Sequence, residues 1–115
     1  MEDFVPFDIL KKHKEKGFKT ETTDWCYLGG NLVQVKKYIN ISPYEYAPTI
    51  SQVLKWLRKE KKLHISIEYE YEEIPVWDFE IRLIGNYGRW WTDETYSSYE
   101  LAALAGIEYT LNNLI

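Results

Sequence analysis

Four carboxylates alternate along two neighbouring segments of this chain, Glu68 and Glu70 in HISIEYEY, then Asp78 and Glu80 in WDFEIRL. Between them stand Leu63, Ile65, Ile67, Tyr69 and Tyr71 in the first segment, and Trp77, Phe79, Ile81 and Leu83 in the second. Period-two alternation predicts an antiparallel hairpin with the acids on one face and the apolar side chains on the other. A turn near Glu73-Ile74-Pro75 pairs Tyr71 with Trp77, Tyr69 with Phe79, Ile67 with Ile81 and Ile65 with Leu83. In that register Glu70 faces Asp78 and Glu68 faces Glu80. Like charges opposed across strands cost stability. A divalent cation would relieve the cost, as would a cationic partner surface. A solvated face that discourages edge-to-edge aggregation is the plainer reading. No His or Asn completes a cage among these acids, so no metal is expected.

A second constellation follows, Tyr87-Gly88-Arg89-Trp90-Trp91, running on to Tyr96 and Tyr99. It reads as an aromatic loop from Gly85 to Tyr96. Successive side chains of an extended backbone alternate, so Trp90 and Trp91 cannot both enter one core. Trp, Tyr and Arg are the types enriched in binding hot spots. They also stack on planar rings, with Arg adding cation–π attraction. The ordinary alternative is a lid of rings over a small core. Candidate binding residues are therefore Tyr87, Arg89, Trp90, Trp91 and Tyr96, beside the acidic face of Glu68, Glu70, Asp78 and Glu80.

Nucleophilic catalysis finds no support. Cys26 sits between Trp25 and Tyr27 on an expected strand, where a thiol serves as a small buried hydrophobe. His13 belongs to a lysine-rich helix and His64 alternates onto the acidic face, so neither is placed to activate it. Gly29-Gly30-Asn31 lacks the Lys-Ser/Thr and the following helix of a phosphate loop. One cysteine and two distant histidines offer no zinc spacing. No catalytic residue and no cofactor is assigned, and the chain is not read as an enzyme. Trp56, one step off the apolar stripe of its helix, belongs at the edge of the core.

The elements that must position these residues follow from local pattern. A first helix starts near Pro6 and stops at Gly17, with Phe18 as an apolar latch. WCYL and LVQV form a hairpin around Gly29-Gly30-Asn31, and residues 39–48 form a loop. Thr49 with Gln52 caps a second helix, whose Ile50, Val53, Leu54 and Leu57 make one buried stripe. After the acidic hairpin, Ser97 with Glu100 caps a last helix carrying Leu101, Leu104, Ile107, Leu111 and Leu114. The order α-β-β-α-β-β-α predicts an α+β fold, a single antiparallel sheet of two hairpins with helices on one face. It also suggests a ββα unit used twice. The 115 residues suit one domain spanning 1–115.

Charge is unevenly spread. Residues 1–62 hold 12 Lys/Arg against 8 Asp/Glu, and residues 63–115 hold 2 against 10. Lys11, Lys12, Lys14, Lys16 and Lys19, then Lys55, Arg58, Lys59, Lys61 and Lys62, cluster towards helix C-termini, where cations suit the macrodipole. The net charge of −4 argues against generic nucleic-acid binding. No apolar run reaches the ~18–20 residues that cross a bilayer, and the acidic start MEDF is unlike a signal peptide. A lone cysteine suits a reducing compartment.

Several segments together carry a resemblance: KEKGF at 14–18, APTISQVLKWLRKEKKLHI at 47–65, Trp77-x-Phe79, and YSSYELAALAGIEYTL at 96–111. The chain resembles a family of short phage and prophage proteins of no assigned function. Leu101 and Ala102 depart from its more acidic opening of the last helix. The resemblance implies a virus-encoded accessory protein made in the cytoplasm of a bacterial host. It implies no chemistry. The expected function is non-catalytic binding of a host or phage protein, with a homodimer as one form of self-association. The alternative is a binder of a nucleotide-like molecule, stacked on Trp90, Trp91 or Tyr87 with Arg89 or a lysine at its phosphate.

Overall fold

A computed structural model describes residues 4–18, 25–28, 30–34, 45–71 and 73–115. The chain divides into two compact units, Met1–Thr49 and Ile50–Ile115.

In the first unit, helix α1 (Phe7–Glu15) follows Pro6, which takes the N-cap position rather than the first helical one. Gly17, at φ +95°, lets the chain reverse. Phe18 N–H donates to the His13 carbonyl and Gly17 N–H to that of Lys14, the paired bonds of a Schellman ending. The Phe18 ring packs 5.6 Å from that of His13, so the expected latch is in place. Strands β1 (Trp25–Leu28) and β2 (Asn31–Gln34) pair as a hairpin, Leu28 opposite Asn31. Asn31, expected in the turn, belongs to the strand. Gly30 has φ +85°, as a two-residue hairpin turn requires. A third strand, β3 (Glu45–Tyr46), lies on the other side of β1. It comes from the segment expected to be loop; residues 39–44 of that segment lie outside the described residues, as does Val35.

The second unit opens with α2 (Ile50–Glu60), which buries Ile50, Val53 and Leu57. Trp56 is half-buried with Lys61 over its ring, as expected of a core edge. Strands β4 (Leu63–Tyr71) and β5 (Pro75–Leu83) then form the long hairpin, and β6 (Arg89–Trp91) pairs with β5. The last helix, α3 (Tyr99–Asn113), packs across β4 and β5, and α2 packs on β4 and against α3.

The α+β class holds, but the single sheet does not. There are two three-stranded sheets, β2-β1-β3 and β4-β5-β6, in the chain order α-β-β-β-α-β-β-β-α. Each hairpin recruits a third strand from a stretch whose prolines, glycines or turn formers hid its pairing. The repeated ββα unit also fails, since the centre is the first hairpin strand in one sheet and the second in the other.

The parity of the long hairpin is as expected, and its register is displaced by two. Tyr69 pairs with Trp77, Ile67 with Phe79, Ile65 with Ile81 and Leu63 with Leu83. Pro75 joins the strand as its first residue, a position where the missing N–H is tolerated. The cap of α3 is Ser98, whose Oγ accepts from Leu101 N–H at 3.1 Å, so the expected Ser97–Glu100 box does not form. The buried stripe of α3 is Ala102, Ala103, Gly106, Ile107, Thr110 and Leu111, while Leu101 is 50% exposed.

Candidate functional site

Strand β5 is the spine of the site, flanked by β4 and β6. Its alternation sends Phe79 and Ile81 into buried positions and leaves Asp78, Glu80 and Arg82 on the polar face, which by parity also carries the buried Val76. Trp91 pairs with Glu80, Trp90 with Ile81 and Arg89 with Arg82. Cross-strand neighbours share a face, so Arg89 and Trp91 join the acids and Trp90 turns to the apolar side. The two tryptophans separate as alternation requires: Trp91 is 65% exposed and Trp90 is half-buried.

An open depression of about 270 Å³ results, bordered by Glu68, Glu70, Asp78, Glu80, Arg89, Trp91 and Thr92. The expected acid pairs are corrected by the shifted register. Glu68 faces Asp78, Glu80 faces Ser66, and Glu70 faces Val76. One like-charged pair therefore remains directly opposed among these four acids. Glu80 is neutralised in place, with Arg89 Nε donating to Oε1 at 2.9 Å and Nη2 to Oε2 at 3.0 Å. Arg82 Nε also donates to Glu80 Oε1. These hydrogen bonds, Arg89's first, hold the Glu80 carboxyl below its ordinary pKa. The same Arg89 guanidinium lies 5.5 Å from the Trp91 ring centroid, a cation–π contact that holds the indole in position.

The other singled-out residues lie elsewhere. Tyr87 is fully exposed on the turn between β5 and β6. The Trp90 ring lies over Gly88, where a Cβ would come within 3.0 Å of it. Tyr96 exchanges both backbone hydrogen bonds with Trp77, rejoining β5 after an excursion over residues 92–95. Its ring is 6.3 Å from Phe79, and its hydroxyl donates to Glu94 at 3.3 Å. Sequence reasoning omitted Arg82 and Thr92. The i+2 spacing of Arg82 from Glu80 was signal enough for the first, whereas nothing local marks Thr92.

Cys26 and His13 are buried in the first unit, and burial raises the Cys26 pKa, which leaves the thiol protonated. His64 lies in the second unit, opposite Arg82. Among the described residues no group of three His, Cys, Asp or Glu side chains is arranged to hold a metal ion. No helix among them is long and apolar enough to cross a membrane. The depression brings carboxylates and an exposed indole together. Comparison with protein-family models, curated proteins and solved structures finds no match.

Proposed function

We propose that this protein is a non-catalytic binding module whose acidic and aromatic face takes a cationic surface of another protein. One observation carries the reading: Trp91 stands exposed at the border of a depression that also holds Glu68, Glu70 and Asp78. An indole beside carboxylates suits a lysine or arginine side chain, which gains both ion pairing and cation–π attraction. An anionic, nucleotide-like ligand fits less well, because Arg89 is already engaged by Glu80 and the surrounding acids repel phosphate. The resemblance to phage proteins supports an accessory role inside a bacterial host, in the cytoplasm, with self-association as a homodimer part of the same reading.

Calorimetric titration with a synthetic arginine- and lysine-rich peptide tests it. Saturable heat is expected, weakened by salt because the attraction is electrostatic. Trp91→Ser and Asp78→Asn should each lose most of it while leaving the far-UV spectrum and melting temperature close to wild type. Absence of saturable heat, or equal binding by Trp91→Ser, would count against this face. Saturable binding of a nucleotide instead would favour the small-ligand alternative.

A further inference from the structure

Strand β4 forms one edge of the second sheet, and among the described residues it pairs with β5 alone. It runs for nine residues with an unbroken register and no proline. Such an edge presents outward N–H and C=O groups that template another strand, and proteins usually blunt it with bulges, proline or brevity. Glu68, Tyr69 and Glu70 are exposed, so this part of the edge stands in solvent.

Charge on the polar face is sorted along the strands. One row across the sheet is acidic, Glu68 beside Asp78. Another holds an imidazole and two guanidinium groups, His64 beside Arg82 beside Arg89. Within one copy Glu68 beside Asp78 sets like charges together, which costs stability, whereas Arg82 and Arg89 share the Glu80 carboxylate. A second copy placed antiparallel along β4, with its twofold axis at Ser66, brings residue 64 opposite 68, 65 opposite 67 and 63 opposite 69. The row Asp78, Glu68 then continues into His64, Arg82 and Arg89 of the second copy, and the symmetric row does the same in reverse. Lys62, just before the strand, falls opposite Glu70 of the second copy. On the apolar face Leu63 meets Tyr69 and Ile65 meets Ile67; Tyr69 is 51% exposed and Ile67 half-buried in a single copy, so both gain cover.

Other registers that keep the two faces matched are less complementary. An axis at Ile65 keeps Lys62 against Glu68 but sets His64 against Ser66, an axis at Ile67 sets His64 against Glu70, whose neighbour on β5 is Val76 rather than an acid, and an axis at Glu68 sets Glu68 against itself.

We propose that two copies of this chain join β4 to β4 about Ser66, forming a continuous six-stranded antiparallel sheet. The inference rests on the reading of the protein as a self-associating binding module, and it names the surface that associates. It also gives that reading a geometry. Trp91 pairs with Glu80 and Glu80 with Ser66, so one row crosses the axis onto its own copy. The two Trp91 rings then share one face, about 24 Å apart at the usual strand spacing. A dimer of this kind presents two Trp91–Asp78 borders side by side, with Glu68 and Glu70 of each copy set against His64 and Lys62 of the other.

Sedimentation equilibrium and an engineered disulfide test the edge. Wild type should sediment as a dimer. His64→Glu should weaken it about tenfold, because it places two symmetry-related carboxylate pairs where attraction stood. The double variant His64→Glu with Glu68→Lys should restore association, which a merely unstable fold would not. Ser66→Cys should oxidise to a covalent dimer, since directly opposed strand positions lie within disulfide range. Glu68→Cys should not, as its two copies stand about 14 Å apart along the strands. A dimeric wild type whose Ser66→Cys fails to cross-link would overturn the β4 pairing and leave the self-associating module standing. A monomeric wild type at high concentration would overturn both. Neither result depends on the cationic peptide, whose binding is read separately.

Discussion

The imidazole of His13 lies fully buried with Ile9 and Leu10 on α1, and its desolvation holds the pKa down at about 4, from an ordinary 6.5. Between those values the unfolded chain takes up a proton that the folded chain refuses. The stability carried by the neutral ring is therefore complete above about pH 6.5, declines as pH falls, and is gone below about pH 4. The difference corresponds to about 3 kcal/mol. Urea midpoints measured from neutral pH downward should fall through this window, and His13→Gln should flatten that part of the curve. Parallel curves for the two proteins would contradict a neutral buried ring. At the same scale, Trp91 and Trp90 show how a single step along a strand separates an exposed side chain from a packing one.

Among the elements, α3 departs most from its expected orientation. Its Leu positions follow a helical period, yet the face turned to the sheet is the one carrying Ala102, Ala103 and Gly106. The reason is distance. A Cβ on Gly106 would lie 3.0 Å from Ile65 Cγ2 and 3.2 Å from Phe79 Cγ, so the helix sits against the strands where no side chain fits. Gly106→Ala gains up to about 1 kcal/mol in helix propensity, but overpacking typically costs about 1–3 kcal/mol. Net destabilisation is expected in thermal or urea unfolding, and a stabilised variant would mean that Ile65 and Phe79 can give way. The long hairpin shows the complementary case. Alternation dictated its faces correctly, because a one-residue slip would bury the acids. A two-residue slip leaves every face unchanged, so pattern alone could not choose the register, and the turn that includes Pro75 in the strand did.

For the molecule as a whole, the acidic second half raises the question of divalent cations. Glu80 already has both arginines, and Glu68 with Asp78 is the one directly opposed pair among the four acids. Millimolar Mg²⁺ or Ca²⁺ should therefore leave the melting temperature unchanged in a calorimetric scan. A ligand that binds only the folded state would raise it, so a saturating increase would establish a metal site. Two sheets in place of one also matter at this scale, because separate sheets have separate edges. Among the described residues β4 pairs with β5 alone, which makes it an edge of its sheet.

Local chemistry was enough to read the α+β class, the three helices, the Gly17 stop, both hairpins, and which residues of β4 and β5 face outward. Each depends on neighbours a few positions apart, through helical period, turn residues or alternation. The grouping of the site was half legible: Glu68, Glu70, Asp78 and Glu80 shared a face by parity, and Arg89 with Trp91 stood out by type. That they share one depression depended on β6 pairing with β5, a contact between segments whose intervening Gly85 and Gly88 read as loop. The third strand of each sheet, the two-residue displacement, the small-residue face of α3 and the Glu80–Arg89 pair were all decided by tertiary structure. In each of these, several local arrangements satisfy the same pattern, and the choice falls to long-range backbone pairing and close packing, which join residues without any periodic relation in the chain.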